Sequence, residues 1–227
     1  MNNFLSPIYK SSSVTLIGLL LLFSNPASAL DMQCNPAEYS QIKPAMITTM
    51  LEAADKGYLY RVDTSASNVT FQVNHFPFST VEGNFHEFQG GMALPVEIDQ
   101  SRQALFIIKV DSMATGDQDL DEYLKSSVFF NATQFPDIIF VSTGFEWINE
   151  STARLIGELT LHGKTRPLVF NVHIDTNESH SIDQGLRMVM IASAEIQRSE
   201  FDMHEMSILV SDTVRFSLKI EATRVGS

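Results

Sequence analysis

The spacing of apolar and polar side chains changes period near Tyr60. Beyond it, Val69, Phe71 and Val73 alternate with Thr70, Gln72 and Asn74, and Leu168, Phe170, Val172 and Ile174 alternate with Val169, Asn171 and His173. Val214, Phe216, Leu218 and Ile220 alternate in the same way with Arg215, Ser217, Lys219 and Glu221. A period of two sends successive side chains to opposite faces, so each run predicts a strand with one buried and one wet face, as in antiparallel sheets. Further strands are predicted at 78–85, 88–94, 104–111, 138–147, 153–162 and 187–198, separated by turn residues such as Asn149-Glu150-Ser151 and His162-Gly163-Lys164. About eight closely spaced strands with few helices between them predict an all-β domain, a closed antiparallel barrel or a sandwich.

Two stretches carry a helical period instead. Ile42, Met46, Ile47, Met50 and Leu51 recur at helical spacing within 36–56, with Gly57 as a stop and Pro44 marking a late start or a kink. This extra N-terminal helix is expected either to cover a barrel opening or to offer a partner surface. A short helix is predicted in 117–130, with Leu120, Tyr123 and Leu124 on one side, placed to cap one end of the barrel.

The first residues read as an export signal. Lys10 is the only charge before Asp31, Val14 to Phe23 is a short apolar run, and Ala27-Ser28-Ala29 is a small-residue cleavage site. The run is about half the length of a spanning helix, which predicts a signal peptide (1–29) cleaved after Ala29 and an exported, periplasmic protein with no stable membrane insertion afterwards. The organisation expected is then a helical extension over 30–59 and a barrel domain over 60–224. Cys34 is the sole cysteine, so no internal disulfide forms, and its distance from the apolar run argues against a lipid-modified thiol.

Of 15 basic residues one, Lys10, lies in the leader, leaving 14 against 27 acidic ones and a formal net charge of −13. That balance repels phosphate backbones and anionic lipid surfaces, so nucleic acid is not an expected partner. Reactive constellations are missing: no nucleophile elbow, no His-Glu-x-x-His, no phosphate-binding loop, no cysteine pair for zinc. No catalytic residue, metal or cofactor is therefore assigned. Met203-His204-Glu205-Met206 mixes thioether and imidazole, but four adjacent residues cannot fix a metal geometry. His162 and His173 are expected to be solvated. His75 shares the inward phase of Phe71 and Val73 and is expected near the barrel mouth.

The inward phases supply Phe71, Phe85, Phe106, Ile108, Phe140, Phe170, Met190 and Phe216, with Gly157, Ala192 and Ala194 among them. An eight-stranded barrel is wide enough either to be filled by such side chains or to hold one small apolar ligand. Periodicity leaves both open: a carrier with a cavity, or an interaction module with a filled barrel; a third alternative, an enzyme acting on an apolar substrate, would need a titratable cavity group such as His75.

Four stretches in order resemble the YceI-like proteins, periplasmic barrels of lipocalin-like form. They are Tyr60-Arg61-Val62-Asp63 running on through Ser67 to His75 and Val81 to Gly90; Tyr123-Leu124-Lys125-Ser126 with Phe129-Phe130-Asn131 and Phe135 to Ser142; Gly157 to Leu168; and Arg198-Ser199-Glu200-Phe201 with Ser211-Asp212-Thr213-Val214. The resemblance spans about 60–222 and implies a carrier for a long isoprenoid-type lipid, a polyprenyl chain or a quinone tail, and no enzyme. On that basis Phe71, Val73, Phe106, Ile108, Phe140, Phe170, Met190 and Phe216 would line the tunnel. His75 or Arg198 would meet a polar head, Arg198 having an equal alternative in bonds within the fold. The chain departs from the family's pattern at Ala66-Ser67 and Tyr123-Leu124, where histidines are usual, and at Asp202, where glycine is usual. Ligand identity and oligomeric state, a homodimer included, stay open.

Overall fold

The computed structural model describes residues 42–77, 79–94, 102–175 and 187–225. The predicted leader, Cys34 and the start of the N-terminal extension lie outside them. In chain order the elements are α1 (Pro44–Asp55), β1 (Leu59–Val62), β2 (Asn68–His75), β3 (Ser79–Phe85), β4 (Phe88–Ala93), β5 (Gln103–Lys109), β6 (Met113–Ala114), α2 (Gln118–Lys125), β7 (Asp137–Trp147), β8 (Thr152–Leu161), β9 (Lys164–Ile174), β10 (Arg187–Gln197) and β11 (Val210–Arg224).

Every strand pairing is antiparallel, and β1 pairs with both β4 and β11, which closes the sheet on itself. The ring β1-β4-β5-β7-β8-β9-β10-β11 has eight members. The remaining three segments extend ring strands beyond a break. Both β1 and β2 pair with β11, at Ala222–Arg224 and at Val210–Lys219; β3 and β4 flank them in the same order, as do β6 and β5. The barrel is therefore an up-and-down closure of eight strands, three of them broken once, which leaves the ring without a free edge.

The breaks have local causes. Between β1 and β2 the Ser67 hydroxyl donates to the Glu221 carbonyl (3.2 Å) and accepts from the Glu221 N–H (2.9 Å), so a side chain replaces a peptide group in the ladder. Between β5 and β6 a 3₁₀ turn, Val110–Ser112, bends the strand. The separate strands expected at 78–85 and 88–94 are thus two parts of one ring strand, interrupted at His86-Glu87. At the β8–β9 hairpin, His162 and Gly163 both take positive φ (51° and 70°), which matches the turn to the strand twist.

Pro44 occupies the first turn of α1, where its missing N–H costs nothing, so the proline sets a late start rather than a kink. Met46, Ile47, Met50 and Ala53 are buried against Leu59, Ala93, Leu105, Ile107, Ile139 and Val141. Those are the outward side chains of β1, β4, β5 and β7. The helix thus lies on the outer wall and covers no opening, correcting the first alternative expected for it. It also explains why β5 is buried on both faces and departs from simple alternation. The second core fills the inside of the barrel and includes Val69, Phe71, Phe85, Phe106, Phe140, Phe170, Leu218 and Ile220.

α2 is shorter than expected. Asp117 caps it by accepting from the Leu120 N–H (3.2 Å), acidic Asp119 and Asp121 sit in its first turn, and it ends at Lys125. Phe129 and Phe130 belong to the turn that follows.

Candidate functional site

The inward strand faces enclose an apolar bore along the barrel, divided into three spaces that share lining residues. At the α2 end is a chamber of about 260 Å³. A waist of about 40 Å³ follows, too small for more than a few water molecules. At the far end a third space of about 20 Å³ lies beside Phe145 and Trp147. Phe216 lines both chamber and waist, and Met92, Leu155, Val172 and Met190 line both waist and far space, so one lining is continuous throughout.

All ten residues expected to contact a ligand face this bore. Phe71, Val73, His75, Arg198 and Phe216 border the chamber; Phe106, Ile108, Phe140, Phe170 and Met190, again with Phe216, border the waist. Phe85 packs behind Phe71, ring centroids 5.5 Å apart, and lines neither. Sequence reading missed Phe129, Phe130, Met203 and Met206, which complete the chamber wall from irregular segments where no period marks an inward side. As expected, α2 roofs this end with Leu120, Tyr123 and Leu124.

Large rings fit around the bore because they pack against glycines on the neighbouring strands. A Cβ on Gly83 would meet the Phe71 ring at 2.5 Å, one on Gly90 the Phe106 ring at 2.7 Å, and one on Gly157 the Phe140 ring at 2.5 Å. Each ring is thereby drawn onto the wall of a neighbouring strand rather than across the lumen. Phe140 also meets Phe170 edge-on at 5.1 Å, which holds both against the waist.

Polar groups are few and placed at the ends. The waist lining has none, and in the chamber only His75, Tyr123 and Arg198 carry polar side-chain atoms. The Arg198 guanidinium is buried and donates to the carbonyls of Met203 (2.6 Å), Ser211 (3.1 Å) and Val210 (3.2 Å). It therefore ties the 3₁₀ turn Arg198–Phe201 to the start of β11, the role within the fold that the sequence offered as its alternative. Burial lowers its pKa from the usual guanidinium value, against the opposite pull of Asp212 and Glu205. An arginine remains charged even so.

His75 Nδ1 lies 3.3 Å from the Ser79 hydroxyl; His75 borders the chamber, whereas Ser79 is exposed and does not. His162 is not simply solvated: its Nδ1 lies 2.9 Å from the Phe201 carbonyl oxygen and its ring packs edge-on against Phe135 at 4.8 Å. Asp202, where glycine is usual in the family, takes a left-handed φ of 60° and pairs with Lys164 (2.8 Å). Aspartate tolerates that conformation better than most residues. Among the described residues no three His, Cys, Asp or Glu side chains are grouped to hold a metal, and no helix is long and apolar enough to cross a membrane.

A family model, described as the YceI-like domain, matches residues 60–222. A UPF0312 protein of Shewanella denitrificans is 26% identical over 181 residues, covering 79% of this chain and 92% of that one. Among solved structures, Burkholderia cenocepacia BcnA superposes with a TM-score of 0.62 at 22% identity, covering 71% of this chain and 99% of that one. A polyisoprenoid-binding domain from Saccharophagus degradans, implicated in plant cell wall breakdown, gives a TM-score of 0.55 at 13% identity, covering 73% of this chain and 98% of that one. At these identities the likeness to the solved structures is one of fold.

Proposed function

The chain belongs to the YceI-like family, and from that premise we propose that it is an exported, periplasmic carrier that holds a long isoprenoid-type lipid in the barrel bore. The observation that carries this reading is the unbroken apolar lining from the α2 chamber through the waist, with no charged group along the middle. Each buried methylene of a prenyl chain contributes about 0.8 kcal/mol without needing any polar contact. His75 and Arg198 stand at the chamber end, where a quinone or phosphate head would lie, and the tail would point toward Met190. The polyisoprenoid-binding domain from Saccharophagus degradans shares this fold, which supports the same ligand class here. The reading assigns no catalytic role: the groups around the bore bind and orient.

The narrow waist favours a second reading, a barrel filled by its own side chains that acts as an interaction module. Native mass spectrometry of the chain purified from the periplasm, followed by solvent extraction, separates the two. A stoichiometric prenyl lipid supports the carrier. A clean apo mass with no uptake of added quinone or polyprenol rejects it and leaves the filled barrel.

A further inference from the structure

Among the described residues, six of the ten large apolar side chains left exposed belong to segments at the α2 end of the barrel. Phe76 (56% exposed) lies in the β2–β3 turn, Tyr123 (43%) and Val128 (40%) in α2 and the turn after it, and Met206 (37%), Ile208 (90%) and Leu209 (44%) in the segment before β11. Three separate segments thus bring apolar groups to the α2 end. They adjoin one another: the Phe76 N–H donates to the Leu209 carbonyl (2.7 Å), and Tyr123 and Met206 line the chamber while also facing outward. The apolar surface therefore passes from the chamber wall over its lip without a polar gap at those two residues.

An isoleucine exposed to nine-tenths at a loop tip costs solvation unless something covers it, and a contiguous apolar rim marks an interaction surface. We propose that this rim docks on an uncharged, zwitterionic lipid surface, with Ile208 and Leu209 inserting at the headgroup boundary so that the chamber opens directly onto the lipid. Two observations select that occupant. A chamber whose wall continues outward as apolar surface needs a covering that an apolar molecule can cross, and a bilayer supplies one. The exposed acids beside the rim, Asp119, Glu122 and Glu205, would be gathered with those of the partner across a two-fold interface, and the like charges disfavour a second copy of the chain. The same acids, within a chain of formal net charge −12, disfavour an anionic surface. Docking then rests on apolar insertion alone, which makes it weak and reversible.

The inference takes its purpose from the carrier reading, but its test needs no cargo. The mature chain is mixed with phosphatidylcholine vesicles and floated on a density gradient. Expected are co-flotation that persists at high salt, a loss of about tenfold in bound fraction for Ile208→Ser combined with Leu209→Ser, and no change for Ile148→Ser at the opposite end. A second measurement places Ile208→Trp in a Trp147→Phe background, where fluorescence should shift to the blue on adding vesicles. No flotation and no blue shift overturns the proposal, as does concentration-dependent dimerisation abolished by the same double substitution. Recovery of a co-purified lipid is scored separately, so failure of docking and failure of the carrier reading are distinct results.

Discussion

The ring of Phe140 lies so close over Gly157 that a Cβ at that glycine would stand 2.5 Å from the ring and equally close to the Val141 carbonyl oxygen. The carbonyl belongs to the backbone of β7 and cannot rotate away, whereas the ring can move only into the bore. Gly157→Ala is therefore expected to destabilise the barrel by about 1–3 kcal/mol through overpacking. It should also narrow the waist. Urea unfolding reads the first effect, and lipid occupancy by native mass spectrometry the second. A variant as stable and as fully loaded as the parent would contradict the packing described.

Phe216 separates the chamber from the waist, so its removal should merge them. Phe216→Ala is expected to cost about 3–5 kcal/mol as a large-to-small core change. If the protein still folds, it should retain a longer prenyl chain than the parent. The check is the length distribution of extracted lipids, or of polyprenols taken up from a defined mixture; an unchanged distribution would mean that the ring does not limit depth.

Arg198 satisfies three backbone carbonyls with one side chain. Arg198→Met keeps the volume but leaves those carbonyls without their donor, at about 1–3 kcal/mol for each that finds no water. A loss of about 3 kcal/mol or more is expected in denaturant titration. Arg198→Lys should recover only part of it, because one ammonium cannot reproduce the planar fork. A full rescue by lysine would show that charge, not geometry, is what the site uses.

Acid should weaken the protein through groups on its surface ladders. The Arg187 hydrogen bond holds the Glu221 carboxyl below the usual carboxylate range, and the Thr115 hydroxyl does the same for Asp121. Both are more acidic folded than unfolded, so their stabilisation is fully present above the unfolded values, about 4.3 and 3.9. It is lost as pH falls through the lower folded values. Arg187 is nearly half exposed, and screening keeps the contribution of its pair with Glu221 to about 1 kcal/mol or less. Glu221→Gln should lower stability slightly at pH 7 and match the parent only once the pH has fallen below the lowered folded value; a deficit that does not shrink on acidification would remove the charge from the explanation.

Much of the barrel was written in its periodicity, since a two-residue repeat leaves little choice about which side of a strand faces inward. That is why the alternation alone puts Phe71, Phe106, Phe140, Phe170 and Phe216 on the bore. What escaped had no period to betray it. Met203 and Met206 reach the chamber from an irregular segment, and Ser67 breaks a strand through a hydroxyl whose partner, Glu221, lies 154 residues away. The stripe on α1 announced that the helix must bury one face, but a stripe carries no information about which surface receives it. His162 looked solvated because its strand phase pointed outward; the left-handed turn at that residue sends its ring toward Phe201 instead.

The closure of β1 onto β11 sets an order of assembly. Three residue pairs join β1 to β11, Tyr60 with Arg224, Arg61 with Thr223 and Val62 with Ala222, and β2, the continuation of the same ring strand, adds seven more, all between partners separated by most of the described sequence. The hairpins from β7 to β11 bring near neighbours together at small entropic cost, whereas this junction must gather distant segments before any bond rewards them. It is the natural last step of folding, and hydrogen exchange should report its three-residue β1 end as less protected than the long β10–β11 hairpin. The short stitch is reinforced from outside the sheet: α1 lies across β1, β4, β5 and β7, Arg224 donates to the Gly57 carbonyl, and the Val225 N–H donates to that of Leu59. A helix that looks like an appendage thus serves as a clasp over the barrel's seam.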